Sequence, residues 1–456
     1  MPQISTIKFK DVLEAHRFDA EYFKPEYLEI DKLLSRFDDV EKIKNISKII
    51  TNGHTPRHAD LSLGEIKFLT AEHIGDFRIE TQNTKFIKEE PHKKELKRTI
   101  LKTNDLLVTI KGKIGNFAVV SFNTEDRFNI NQDVGRIVLK KEYNPYYISG
   151  FLNSKFGKLQ SKRVSTGQIN PFLGLGNLIT LKIPILNSNF QLQIEKIVKE
   201  SHKKQEESKK LYKQAEELLL KEVGLLDYKI ENTLAFETTK KEVSEAVRFD
   251  SEYFQPKYAE IIEKVEDYEG GFDVVKNIID WKKGTEVGSD AYVENGKDFI
   301  RVSDFTSFGI VESSRKITKE LFEEIKEKFQ PKKGEILFTK DGTIGRSHVL
   351  KEDVEGVLSG AFLRLSLKEK YSSFKKECLC LMFNSIISRF QVEQLSGGAI
   401  IAHLKPSDFE KFKIPLINPG IQKQIAEKVK ESHKLRKESK ELLEEAKRKV
   451  EEEIEK

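Results

Sequence analysis

Cysteine is nearly missing from this 456-residue sequence, in which Cys378 and Cys380 are the only two. A lone C-x-C excludes a disulfide framework and a four-cysteine zinc site, and it fits a reducing compartment. Long apolar runs are missing too. No stretch approaches the roughly 18–20 residues that a bilayer-spanning helix needs. The opening Met1-Pro2-Gln3-Ile4-Ser5 lacks a basic-then-apolar leader. Nor is there a large excess of either charge: Lys+Arg 79 against Asp+Glu 74 leaves +5. These shortages predict a cytoplasmic, soluble chain with no membrane association, long enough for two or three domains.

What the sequence does have is itself, twice. Arg17-Phe18-Asp19-Ala20-Glu21-Tyr22-Phe23-Lys24-Pro25 returns as Arg248-Phe249-Asp250-Ser251-Glu252-Tyr253-Phe254-Gln255-Pro256, an offset of 231. Val198 to Lys203 returns as Val429 to Lys434, and Lys182-Ile183-Pro184 as Lys413-Ile414-Pro415, at the same offset. Thr109 to Gly115 pairs with Thr339 to Gly345 at 230, so one short indel separates the copies. A period this long is a duplicated domain and not a solenoid, whose units run about 20–50 residues.

The order of parts is the same in each copy. An acidic lead-in spans 1–41, and the linker with the repeated lead-in spans 225–272. A mixed region follows, 42–188 and 273–418, with strand-like runs such as Leu106–Ile110 and Ile336–Thr339 bounded by Gly and Asn. A highly charged helical stretch, 189–224 and 419–456, closes each copy. These stretches are rich in helix formers. On a heptad, Ile194, Ser201, Ser208 and Ala215 form one column, and Ile197, Leu211 and Leu218 the other, broken by Lys204. Ile425, Ser432, Ser439 and Ala446, with Leu435 and Leu442, repeat it. A seam of small residues predicts that the two helices pair as a coiled coil.

Splitting the charge by segment sharpens the picture. The first mixed region carries 24 basic and 13 acidic groups, while the second carries 24 and 22. The lead-ins and connector are acidic. A basic excess confined to one folded region is the footprint expected for phosphate contacts.

Two divergent domains, each followed by a similar long helix, resemble the specificity subunit of type I restriction-modification systems, or the similar separate specificity chain of type II enzymes. The motifs that carry the resemblance are the repeated Gly-x-Ile-Gly turn (Gly112–Gly115 and Gly342–Gly345) and the Ile-Pro strand leading into a Gln-rich helix entry (Gln191-Leu192-Gln193-Ile194 and Ile421-Gln422-Lys423-Gln424-Ile425). The resemblance implies an α+β fold, a tandem duplication of a target recognition domain in which the two helices pair as an antiparallel coiled coil. It also implies a non-catalytic chain that reads double-stranded DNA beside two modification (methyltransferase) subunits and a restriction subunit. S-adenosylmethionine, Mg²⁺ and ATP would then sit on the partners, with no cofactor in this chain.

Three fragments look like catalysis. Phe172-Leu173-Gly174-Leu175-Gly176 resembles a methyltransferase glycine loop, and Asn144-Pro145-Tyr146-Tyr147 is one residue from the Asn-Pro-Pro-Tyr of adenine-N6 methyltransferases. The second proline is missing, and copy two keeps none of the glycines. Asp60 with Glu65-Ile66-Lys67 loosely matches a Mg²⁺-binding nuclease triad, which copy two does not repeat. His202 and His433 recur at one helical position and are expected to be packing residues. The expected DNA contacts are Arg57, His58, Lys111, Lys113, Asn116, Lys162, Arg163, Thr166, Gln168 and Asn170 in copy one. In copy two they are Lys282, Lys283, Lys340, Asp341, Thr343 and Arg346. Lys and Arg suit phosphate or guanine, and Asn suits adenine.

Overall fold

The computed structural model describes residues 4–56, 61–121, 127–167, 169–229, 233–311, 313–396 and 403–456. The chain divides into two compact units, one made of Met1–Glu206 with Arg436–Lys456 and the other of Glu207–Leu435. No helix among the described residues is long and apolar enough to cross a membrane.

In the first unit a four-stranded antiparallel sheet runs in the order Ser47–Asn52, Val134–Leu139, Leu106–Thr109, Phe117–Val119. A three-stranded sheet (Lys85–Ile87, Ile66–Leu69, Phe128–Ile130) lies in the same unit. The second unit repeats the larger sheet with Ile279–Lys283, Phe362–Leu367, Ile336–Thr339 and Ser347–Val349. Its smaller sheet has gained a strand and pairs Tyr292–Val293, Lys316–Ile317, Lys297–Ile300 and Gly356–Leu358. The Ile-Pro strands pair with the end of each lead-in, Lys182–Pro184 on Val40–Lys42 and Lys413–Pro415 on Phe272–Val274.

Two polar clamps recur where apolar packing alone would leave register undefined. The edge strand Phe117–Val119 is gripped by Asn153: Phe117 N donates to Asn153 Oδ1 (3.0 Å), and Asn153 Nδ2 donates to Phe117 O (2.6 Å). Asn384 grips Ser347 in the same way, at 2.9 and 3.0 Å. The second clamp is ionic. Arg136 Nε meets Asp105 Oδ2 at 2.6 Å, and Arg364 meets both carboxylate oxygens of Glu335 at 2.8 Å. Each guanidinium also donates to a main-chain carbonyl, of Arg98 and of Lys328 respectively. Buried polar groups tolerated twice, in the same geometry, define the alignment of the two units.

The helix Pro145–Asn153 begins at an Asn144 cap, whose Oδ1 accepts from Tyr146 N and Tyr147 N, with Pro145 in the first turn. It is buried on all sides. Tyr147 donates to Pro184 O (2.6 Å), and a Cβ on Gly150 would lie 3.1 Å from Ile194. The Asn-Pro-Tyr-Tyr sequence is therefore a helix start packed into the core.

The long helices span Ser188–Glu222 and Pro419–Glu455. In the first unit Ser201 Oγ donates to Ser439 O (2.7 Å) and Ser439 Oγ to Ser201 O (2.9 Å), with Lys204 paired to Glu438. In the second unit Ser208 and Ser432 exchange the same two bonds, both 2.8 Å, with Lys428 donating to Gln214. Falling numbers facing rising ones make the pairing antiparallel. The small-residue column stands as read, but the second column is shifted by one. Val198, Gln205 and Leu219 are buried, while Ile197, Lys204, Leu211 and Leu218 only flank the seam; Leu435 is buried, and Leu443 replaces Leu442. From a column at Ile194 the partner column lies either three or four residues on, and the four-residue step puts the buried Gln205 in place of a lysine.

Asn153→Ala leaves the buried Phe117 N without its acceptor, while Phe117 O keeps Phe77 N and Ser149 Oγ as donors, and is expected to cost about 1–3 kcal/mol. Urea unfolding measures it; a loss below about 0.5 kcal/mol would contradict the clamp.

Candidate nucleic-acid interface

Each Gly-x-Ile-Gly turn is held by the threonine that precedes it. Thr109 Oγ1 donates to Lys113 O and accepts from Asn116 N, while Gly115 N donates to Thr109 O. Thr339 repeats all three bonds with Thr343, Arg346 and Gly345. The outer glycines take φ of +74° and +74° in copy one, +69° and +88° in copy two, a region that side chains with a Cβ avoid. The turn is thus scaffold, and what it presents is the pair of residues at its mouth.

There the two copies part. In the first unit Lys111 and Phe172 form a backbone bridge, Leu173 N donates to Ile110 O, and the Lys111 ammonium lies 5.9 Å over the Phe172 ring. A second bridge, Thr166 to Phe172, closes the loop that carries Asn170. In the second unit the same bridge joins Asp341 and His403, with Asp341 Oδ1 2.9 Å from His403 Nδ1 and Lys340 paired to Asp341. A cation beside an aromatic ring has been exchanged for an acid beside an imidazole.

The structure brings most of the expected residues to these turns. Lys111, Lys113, Lys162, Thr166 and Asn170 are exposed in the first unit, and Lys282, Lys283 and Thr343 in the second. Lys111 is 3.4 Å from Asp133. Lys283 and Phe338 both flank Leu363, so Lys283 stands about 10 Å, two strand spacings, from the end of the strand that enters the turn. Others are engaged inside the protein. Asn116 donates to Ile74 O and accepts from Lys158. Arg163 binds Asp31 and Tyr22 O and lies 4.3 Å over the Tyr22 ring, so it docks the lead-in. Asp31 sits below its ordinary pKa: the Arg163 and Lys182 cations outweigh a burial that pushes it up. Lys340 is almost buried, and Arg346 donates to Phe305 O. Arg57, His58, Gln168 and the nuclease-like Asp60 lie outside the described residues, as does the glycine-rich 397–402.

One feature of the first unit was not expected. A cavity of about 760 Å³ is lined by Ile49, Ile66 and Val138 together with Lys93, Lys97, Arg98, Lys102 and Arg127. Glu89 is its one carboxylate, and it is paired to Lys93. Buried Arg136 also lines it, and burial pushes the carboxyl of its partner Asp105 up. The signal was present in the sequence as Lys93-Lys94, Lys97-Arg98 and Lys102, inside the region of greatest basic excess. Seeing it as one site required the two sheets to fold together. The arginine clamp aligns Arg98 with Lys328, and there the second unit has the helix Lys319–Phe329, with Glu320, Glu323, Glu324 and Glu327 among its charges. At that alignment Glu323 and Glu327 stand where Lys93 and Lys97 line the cleft, while Lys328 and Lys332 keep the charge of Arg98 and Lys102.

His202 Nε2 lies 2.8 Å from Phe77 O, and His433 packs among Tyr212, Phe308 and His348. No cluster of His, Cys, Asp and Glu among the described residues has the grouping of a metal site. Cys378 and Cys380 are buried thiols pushed well up by desolvation.

Residues 269–448 match the model of the type I restriction modification DNA specificity domain. Among solved structures the chain is similar to the S subunit of a type I restriction-modification system from M. genitalium, at 13% identity and a TM-score of 0.42, covering 90% of this chain and 95% of that one. It is similar also to the HsdS subunit from Thermoanaerobacter tengcongensis, at 13% identity and a TM-score of 0.28, covering 91% and 95%. The type IIG restriction endonuclease BpuSI is similar over 42% of this chain and 30% of that one, at 8% identity and a TM-score of 0.32. The sequence match to the type I restriction-modification DNA specificity domain thus covers 269–448, which is less than half of the chain.

Proposed function

We propose that this chain is a non-catalytic DNA-reading subunit of a restriction-modification complex. Residues 42–188 and 273–418 each read one half of a two-part, asymmetric site, and the paired helices fix the spacing between the halves. Two modification subunits and a restriction subunit bring the chemistry, with S-adenosylmethionine, Mg²⁺ and ATP held by them. The observation that carries the reading is the exchange at the turn mouth, Lys111 with Phe172 in one copy and Asp341 with His403 in the other, on turns bonded alike. A lysine suits guanine or phosphate, whereas an aspartate accepts from the cytosine amino group. Identical scaffolds with opposed contact groups are what two readers of different sequences require.

The division of labour extends to affinity. Lys97, Arg98, Lys102 and Arg127 supply phosphate contacts from the first reader. Lys111, Lys113, Lys162, Thr166 and Asn170 read or position in that half, and Lys282, Lys283, Asp341 and Thr343 do so in the other. Arg57, His58 and Gln168 belong to the first set, and Lys340 and Arg346 support the second turn. Asn116 and Arg163 act as positioning residues.

Two outcomes follow from this reading. Sequencing of methylated sites in a host carrying the system is expected to give two unlike half-sites separated by unspecified bases; a continuous or palindromic motif would overturn it. In salt titrations of the complex on DNA, Lys97→Ala with Arg98→Ala is expected to weaken binding equally on all sequences. It should also lower the slope of log K against log salt by about 1.8, at roughly 0.9 per phosphate contact. An unchanged slope would place the phosphates elsewhere.

A further inference from the structure

Each Gly-x-Ile-Gly turn is joined to a long helix of its own unit through a short hairpin, 74–79 in the first unit and 305–310 in the second, 231 residues apart. Ile74 bridges Ile79 and Phe305 pairs with Ile310, so the two hairpins share one register. At the turn end a side chain reaches the first carbonyl of the hairpin. Asn116 Nδ2 donates to Ile74 O at 3.2 Å, and Arg346, its counterpart, donates to Phe305 O at 3.1 Å. At the helix end the contact is a histidine at one repeated position. His202 Nε2 lies 2.8 Å from Phe77 O, and the His433 ring lies 5.5 Å from that of Phe308, the counterpart of Phe77.

What lies between those two ends differs from copy to copy. In the first unit it is ionic. Lys158 Nζ donates to Gly115 O at 2.9 Å and Asn116 Oδ1 at 2.7 Å on the turn, and to Asp76 Oδ1 at 2.5 Å on the hairpin. Asp76 Oδ2 then accepts from Lys447 on the second of the paired helices at 3.1 Å, and Arg78 donates to Ser439 Oγ at 3.1 Å. Phe77 is buried and held at φ of +61°, a left-handed conformation that persists only where the surroundings impose it. In the second unit the filling is aromatic. Phe308 packs on Tyr212 at 5.3 Å as well as on His433, and His348 lies 4.9 Å from the His433 ring with its Nδ1 3.4 Å from Ser307 O. Core packing alone gives no reason for both end contacts to survive when everything between them has changed. A link that holds the turn at a set distance from the helix gives that reason.

We infer that His202 and His433 are positioning residues for DNA reading, each setting through its hairpin where the Gly-x-Ile-Gly turn of its own unit stands, an assignment that rests on the DNA-specificity reading of those turns. Base edges are told apart by hydrogen bonds of about 2.7–3.2 Å that weaken steeply with misplacement. A turn loosened by a fraction of that length keeps its phosphate contacts, which are blind to sequence, and loses discrimination. Because each histidine serves the turn of its own unit, the loss is confined to one half of the site.

Sequencing of methylated sites in a host carrying the full chain and the modification subunit encoded beside it tests this. His202→Leu is expected to relax one half-site, raising methylation of sites with one wrong base there by about 10-fold relative to correct sites, and to leave the other half as strict as before. His433→Leu should relax the opposite half. His202→Gln keeps a donor for Phe77 O and should discriminate as wild type does. If His202→Leu does not fold, Asp76→Asn, which loosens the same hairpin from Lys447, is read in the same way. If discrimination stays at its wild-type level in both leucine variants, or falls in both halves at once, the histidines only pack; the assignment is overturned and the DNA-specificity reading stands. If the wild-type chain directs methylation to no defined sequence, that reading falls and the assignment with it.

Discussion

Close approach through serine is the constraint on which the rest of this molecule depends. Leucine seams hold helices apart by the width of their side chains, but a fully buried serine does not. It also brings a hydroxyl that must find a partner where water is excluded. Ser201 with Ser439, and Ser208 with Ser432, solve this by each donating to the other's carbonyl. The consequence is a fold that does not follow chain order. Residues 436–456 close the unit that begins at Met1, placing Leu443, Ala446, Val450 and Ile454 in one core with Ile194, Val198 and Phe151.

Around that closure the two copies keep what fixes geometry and change what faces outward. The Asn153 and Asn384 clamps, the Arg136 and Arg364 ion pairs and the Thr109 and Thr339 turns are bonded alike. Lys111 against Asp341, and Lys93 and Lys97 of the cleft against Glu323 and Glu327, are the departures. A duplicated scaffold can diverge at such positions because these side chains are not part of the hydrophobic core.

Much of this was legible in the residues. A repeat at 231 revealed the two copies, and the absence of glycine and proline marked the long helices. Loop-forming glycines located the turns, because a positive φ leaves few alternatives. The helix seam was legible only to within one residue, since a column at Ile194 allows a step of three or four and composition does not choose. Arg163 and Asn116 read as surface groups because residue type says nothing of what lies opposite; their partners, Asp31 and Lys158, stand 132 and 42 residues away. The basic cleft was scattered along the sequence as ordinary lysines until two sheets met. Long-range contacts of this kind are where reading a chain in order stops.

The closure makes one demand that a conventional two-domain chain would not. Removing residues 436–456 takes Leu443, Val450 and Ile454 out of the first unit's core, about 6 kcal/mol of burial as an upper estimate. That is comparable with the whole stability of a domain, about 5–15 kcal/mol. Hydrogen exchange on a chain ending at Leu435 is therefore expected to show lost protection in the helix Pro145–Asn153, far away in sequence from the deletion. Unchanged protection there would contradict the closure and the helix pairing that produces it.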